Sequence, residues 1–407
     1  MMNDTNLLKS LDFQVLRALG RDVRNRVFLV SVTTTKQYSA KLYKAAEFRQ
    51  AGWISIGKLV NKDPNPFVIR YVGAKLVKNS VVVLSDFANM KSLDYLIEKR
   101  KDLLPGTLRA IAKQLLEGVR LIHAKKLVHG NITSENILLH NPLGSGRIIL
   151  KISNFQILKQ NPSAIVLELI QGGVYPNIAP ELVIGDGKTN EKIDVWSVGI
   201  VVFQLVAHEL PFKAQTLEEL QNQMLRQGIV KPQIAIDDHL WDLLIKMLAF
   251  NPINRISASD ALRHPYFTCE QAEDEITNGA NRLVKATQMA QQSGDRTITV
   301  YDITPSFIVQ LTDIKKIAGY IYFSPYVKGR ARFADVEYKT HEQAESFVKS
   351  SAQQRIFGGV ILQVRWDIGQ QTQKQRGTDD RINDQIQDDQ QQHTILILDG
   401  MIVQKVS

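Results

Sequence analysis

Apolar and polar positions along this chain change period several times, and the changes mark its parts. Residues 13–32, FQVLRALGRDVRNRVFLVSV, read as a strand hairpin, and QYSAKLYK as a third strand. DPNPFVIRYVGA leads into a fourth strand and SVVVLSDFANMKSLDYL into a fifth. The period then lengthens. TLRAIAKQLLEGVRLIHA, residues 107–124, places apolar side chains at helical spacing and predicts a long buried helix, while DVWSVGIVVFQLV predicts a central one. Residues 268–295 are polar and acidic, then weakly amphipathic, and read as a partly helical linker. From Arg296 the pattern alternates again. TITVYDI and RARFADVEY read as half-buried strands, PSFIVQLTDIKKIAG and HEQAESFVKSSAQQ as helices, and RIFGGVILQVRW closes a β-α-β-β-α-β order. The tail from Gly369 is rich in Gln and Asp, and its apolar runs around Asp399–Gly400 predict a hairpin.

Composition narrows the class without naming a chemistry. With 407 residues, 44% hydrophobic and 22% charged, the chain has room for two or three soluble domains. The longest apolar stretch, Val198 to Ala207, is too short to span a bilayer, and the polar N-terminus does not look like a signal peptide. One cysteine, Cys269, excludes an internal disulfide framework and a cysteine-based zinc site. An intracellular protein, in nucleus or cytoplasm, is expected. The net charge of +9 favours acidic partners only weakly.

The chemistry lies between Leu127 and Ile157. LVHGNITSENILLH, a short loop and IILKISNFQI resemble the catalytic core of the eukaryotic protein kinase family, in which H-R-D-L-x-x-x-N precedes D-F-G. His129, Gly130 and Asn131 fall on the H-R-D positions, Asn136 on the second magnesium ligand, and Asn154, Phe155 and Gln156 on D-F-G. Lys41 falls on the V-A-I-K lysine, and Asp86, after the small Ser85, lies near the adenine-facing backbone of the hinge. Gly20 is the only glycine of the glycine-rich loop. Downstream, Ala179–Pro180–Glu181 matches A-P-E, Asp194, Trp196 and Gly199 match D-x-W-x-x-G, and Arg255 is positioned to pair with Glu181.

The resemblance implies an α+β, bilobal protein-kinase-like fold over residues 13–268, after an N-terminal extension 1–12. It also implies an altered charge. Magnesium is a hard cation usually held by carboxylates, and both ligand positions carry amides. Asn131 can accept a hydrogen bond but cannot take a proton. Glu47 comes too early in the chain to be the ion-pair partner of Lys41, and Ser163 and Tyr175 alone supply hydroxyls to the loop 157–178. Catalysis is therefore expected to be impaired, with residual nucleotide contacts at Gly20, Lys41, Asp86, Asn136 and Asn154, no metal, and ATP held, if at all, without magnesium.

Residues 296–367 resemble an RNA recognition motif, a small β-α-β-β-α-β sandwich. Tyr301 and Phe333 are then the possible base-stacking residues, although Asp335 and Glu337 on the same strand oppose a polyanion. Arg355-Ile356-Phe357 resembles the loop of the UHM class of splicing factors, where the Phe receives a partner's tryptophan. Kinase plus UHM resembles the architecture of the family of the kinase interacting with stathmin. The expectation is a catalytically impaired scaffold in RNA processing or its regulation, capturing a Trp-containing peptide through Arg355 and Phe357. An active atypical serine/threonine kinase and an RNA-binding protein with a structural kinase domain are the alternatives.

Overall fold

The computed structural model describes residues 2–19, 26–33, 36–45, 48, 66–142, 145–155, 177–185, 190–292, 300–318, 323–328, 331–338, 356–357, 360–361, 363–367, 393–398 and 401–406. They divide into two compact units. One comprises Met1–Val30, Tyr38–Ala88 and Ser92–Ile317; the other comprises Ser31–Gln37, Asn89–Lys91 and Ala318–Ser407. Gly20, Glu47, Ser163, Tyr175 and Arg355 lie outside the described residues.

The first unit begins with α1, Met2–Lys9. A five-stranded sheet follows, built from β1 (Gln14–Ala18), β2 (Val27–Thr33), β3 (Lys36–Lys44), β4 (Tyr71–Val77) and β5 (Ser80–Asp86), in the order β1-β2-β3-β5-β4. Strand residues alternate between faces. Tyr38, Ala40 and Leu42 therefore share one face of β3, where they pack with Phe28, Val30 and Val82 beneath Leu8 of α1. Lys41 belongs to the opposite face. The N-terminal extension thus forms the cover of the small lobe, with the Asp4 carboxylate paired to Arg26 beside it.

The large lobe is organised by α2 (Pro105–Ala124) and α3 (Lys192–Ala207), which contact each other and bury, among others, Ile111, Leu115 and Val119 of the first and Val195, Val198 and Val201 of the second. Gly118 of α2 permits a close approach: a Cβ there would sit 3.1 Å from the Cβ of Phe67 and 2.9 Å from Cδ1 of Ile152. The hairpin β6 (Ile137–His140) and β7 (Arg147–Ile152) carries the resembled catalytic loop into the lobe. Further helices α4 (Leu217–Arg226) and α5 (Asp238–Met247) start at side-chain caps: Thr216 accepts from Glu219 N, and Asp237 from Leu240 N. Among the described residues, no helix is long and apolar enough to cross a membrane.

The expected linker is helical at Glu270–Asp274 and Asn278–Gln292, and the difference from the expected elements begins at Val300. Helix α6, Asn278–Gln292, buries Ala280 and Val284 against Ile308. Val300–Ile303 forms a 3-10 turn where a strand was expected, and Pro305–Phe307 forms another. Val309–Gln310 is strand β8, which adds antiparallel to β7 so that β6, β7 and β8 form one sheet. Helix α7 covers only Leu311–Ala318. Up to Ile317 the described residues belong to the first unit, and 300–303, the described part of the expected first strand, are a 3-10 turn there. The physical reason is that alternation only asks for one apolar surface. Here the large lobe supplies it, and Asp302 is held by Arg147 at 2.9 Å.

In the second unit the strands are β9 (Phe323–Lys328), β10 (Ala331–Tyr338), β11 (Ile356–Phe357), β12 (Val360–Ile361), β13 (Gln363–Asp367), β14 (His393–Leu398) and β15 (Met401–Val406). One sheet runs β13-β15-β14-β10-β9, and β11 pairs with β12. Phe333 lies on β10 in register with Tyr326, and Phe357 lies on β11 in register with Val360. Strands β14 and β15 pair antiparallel, with Leu398 opposite Met401.

Candidate functional site

Three asparagines and one lysine converge between the lobes. Lys41, on β3, reaches across the cleft: its Nζ donates to Asn154 Oδ1 at 2.6 Å. Asn154 Nδ2 donates to Asn136 Oδ1 at 3.1 Å, Asn136 Nδ2 to the Asn131 carbonyl at 3.0 Å, and Asn131 Nδ2 to the Asn154 carbonyl at 3.2 Å. The asparagines close a ring. Asn154 holds φ of 64°, a left-handed conformation that asparagine tolerates better than most residues. Its N–H donates to the Tyr71 hydroxyl at 3.2 Å, and Ser153 binds the Asn136 carbonyl through both its N–H and its hydroxyl.

Electrostatics follow from this geometry. Burial brings the Lys41 pKa down to about 8, with no carboxylate among the described residues acting on it. Its ammonium lies 5.0 Å from the centroid of Tyr43. Burial raises the Tyr71 hydroxyl to about 12, and hydrogen bonds with the backbone of Phe155 and Asn154 oppose that shift.

The loop below is framed by Asp194 of α3. Its carboxylate accepts from the backbone N–H of His129 and of Gly130, both at 2.8 Å, and lies 2.9 Å from His123 Nε2. Gly130 sits at φ of 71°, a conformation that costs glycine nothing. His129 is fully buried and packs on Phe155 at 4.2 Å between ring centroids; burial lowers its pKa to about 4, so the ring is neutral near pH 7. Asn131 N donates to its Nδ1. Arg255 binds the Glu181 carboxylate through two nitrogens, each at 2.8 Å, in a fully buried setting. Residues 13–267 match the family described as Protein kinase domain.

The chain belongs to the protein kinase family. Similar members of the kinase family include the Carbon catabolite-derepressing protein kinase of Candida glabrata, 24% identical over 318 residues, or 76% of this chain and 49% of that protein. Serine/threonine-protein kinase kin-29 of Caenorhabditis elegans is 28% identical over 230 residues, 56% of this chain and 27% of that one. Sperm motility kinase 2B of Mus musculus is 26% identical over 257 residues, 63% and 52% of the two chains. The chain therefore spans about half or less of the length of these kinases.

The kinase cleft does not fit a magnesium ion. A hard divalent cation asks for carboxylate oxygens. Asn136 keeps the amide this family uses, but Asn154 stands where the aspartate would, and the two amides already bind one another and Lys41. Among the described residues, no group of three His, Cys, Asp or Glu side chains is placed to hold a metal. Two expected site residues have side-chain partners within the protein. Asp86 turns to Arg70, with oxygens at 2.9 and 2.6 Å from its guanidinium, so its side chain is engaged in an exposed ion pair. Tyr301, expected on a base-stacking sheet, instead packs edge-on against Phe67 at 5.1 Å and donates its hydroxyl to Glu117 at 2.6 Å. Its ring packs among the protein's own aromatic residues, Phe67 and Phe307, in T-shaped contacts. Lys41 was expected to lack an ion-pair partner; that its ammonium donates to the neutral amide of Asn154 was not foreseen.

Proposed function

We propose that this kinase-fold chain acts by binding, as a catalytically impaired scaffold, and that its C-terminal unit captures a protein partner in RNA processing or its regulation. The observation that carries the first part is the ring of Asn131, Asn136 and Asn154 closed upon Lys41. Phosphoryl transfer depends on neutralising phosphate charge with metal and on a group that receives the substrate's proton. The ring offers amides for both tasks. Radiolabelled phosphate transfer by the whole chain, to itself and to generic substrates, should stay at background. Transfer that disappears in Lys41→Ala would overturn the reading.

An active atypical serine/threonine kinase is the second reading. The names of the relatives favour it, as does the retained order of Lys41, Asn131, Asn136 and Asn154 around one cleft. The same assay decides between them. For the C-terminal unit, a Trp-containing peptide is the expected ligand and Phe357 its anchor, since buried aromatic anchors dominate such contacts. Pull-down with the whole chain should be lost in Phe357→Ala and retained in Phe333→Ala. Capture that is lost on nuclease treatment, or in Phe333→Ala alone, would favour RNA instead.

A further inference from the structure

Residues 300–317 lie as a strap across α2, β7 and the segment that enters β4. Tyr301, Phe307 and Phe67 form one aromatic cluster: Phe67 meets Tyr301 edge-on at 5.1 Å and Phe307 nearly parallel at 5.8 Å, and the two strap rings are 5.4 Å apart. Polar contacts fix the strap around that cluster. Asp302 pairs with Arg147, Lys113 donates to Ser306 Oγ at 2.7 Å, and Thr107 donates to Asp313 at 3.1 Å. Gln114 of α2 reads strap and sheet together, donating to the carbonyls of Phe307 and Ile148 and accepting from Leu150 N.

Phe67 is more than an apolar landing place. Its carbonyl accepts from Ile152 N at 2.8 Å, and Ile69 N donates to the Ile152 carbonyl at 2.9 Å. Two residues beyond Ile152 stands Asn154, whose own N–H meets Tyr71, two residues beyond Ile69. Residues 67–71 and 152–154 therefore form a short double line from the aromatic cluster to the cleft. At its far end Asn154 holds Lys41.

We propose that the strap regulates the cleft: clamped on Phe67, it fixes the pairing of 67–71 with 152–154 and thereby the hold of Asn154 on Lys41. Undocking the strap loosens that hold. Along the chain the strap runs directly into Ala318–Ser407 of the second unit, so an event that draws on this segment from its C-terminal side is communicated to the cleft. The coupling requires a physically continuous set of contacts, and the contacts above supply it. It deepens the scaffold reading by naming how the cleft is regulated, yet it does not depend on whether the cleft transfers phosphate.

Amide hydrogen exchange on the whole chain tests it. In Phe307→Ala, the amides of Ile69 and Ile152 should exchange about tenfold faster or more, while Val198–Val202 of α3 stay unchanged. Acetylation of Lys41 by acetic anhydride at fixed pH, read by peptide mapping, should rise about threefold or more. Acceleration confined to 300–317, with Lys41 unaltered, would show a passive cover and overturn the proposal, as would no change at all. Should Phe307→Ala unfold the lobe, seen as fast exchange in α3, Tyr301→Phe decides. It removes only the hydroxyl bonded to Glu117, and unaltered exchange at Ile69 and Ile152 in that variant would equally overturn the coupling.

Discussion

Lys41 and Asn154 are joined at 2.6 Å, an ammonium held by an amide rather than by a carboxylate. The pairing satisfies geometry without cancelling charge, and several consequences can be measured.

Burial holds the Lys41 pKa near 8, below its ordinary value of 10.5. A group whose folded pKa is depressed binds fewer protons folded than unfolded between those two values, so folding stability rises with pH across them. The cost of burying the charge is present in full below about pH 8. Lys41→Met should therefore be more stable than the parent chain at pH 7, with the advantage shrinking as pH rises towards 10. Urea unfolding at both pH values measures this, and an advantage that grows with pH would refute it. Lys151, also buried and brought to about 8, shifts the parent's curve in the same direction and cancels in the comparison.

Substituting Asn154→Asp should convert the amide contact into an ion pair. A carboxylate at that distance typically moves a neighbouring pKa by about 1–3 units, here upward for Lys41. The pH profile of Lys41 acetylation reports the shift. Thermal stabilisation of the parent chain by ATP should be small and insensitive to magnesium, because Asn154 offers the cation a neutral amide where a carboxylate would stand. A large stabilisation of the parent chain that needs magnesium would contradict the amide-ring reading.

The kinase fold was legible because its marks are residues whose chemistry is read by the backbone in a fixed order. Asp194 takes two loop N–H groups, Arg255 and Glu181 clamp each other, and Trp196 fills the core beside them. The loss of charge in the cleft was legible for the same reason. What replaced it was not, since nothing in the identity of an asparagine says that its amide will bind the next one. The strap was misread as a strand because TITVYDI alternates, and alternation names a half-buried segment without naming the surface that buries it. Tyr301 accordingly went to a sheet in the reading and to Phe67 in the structure. Helix α1 was missed because eight residues carry too little periodicity to distinguish a helix from a tail.

Arg255 and Glu181 carry opposite charges out of water together. Removing one partner of such a pair strands the other, which typically costs about 3–5 kcal/mol. Arg255→Leu should approach that loss by urea denaturation. Glu181→Leu combined with Arg255→Leu should recover a good part of it, because no charge is then left buried. If the double variant is no better than the single one, the backbone carbonyls of Ala249 and Lys192, which also accept from Arg255, carry the larger share.

An isolated helix of eight residues is not stable in water, so α1 must be held by what it packs against. Leu8 is its anchor, fully buried over Phe28, Val30, Tyr38 and Leu42. Truncating a buried leucine to alanine typically costs about 2–5 kcal/mol. The pair Asp4–Arg26 is partly buried, and even at the upper end for pairs that reach the surface, about 1 kcal/mol, it falls short of the leucine. Leu8→Ala should therefore destabilise the protein well beyond Asp4→Asn, and trypsin should then cleave at Lys9 where the parent chain resists. Equal effects of the two substitutions, or no new cleavage at Lys9, would mean that α1 is held by the ion pair and not by burial of Leu8.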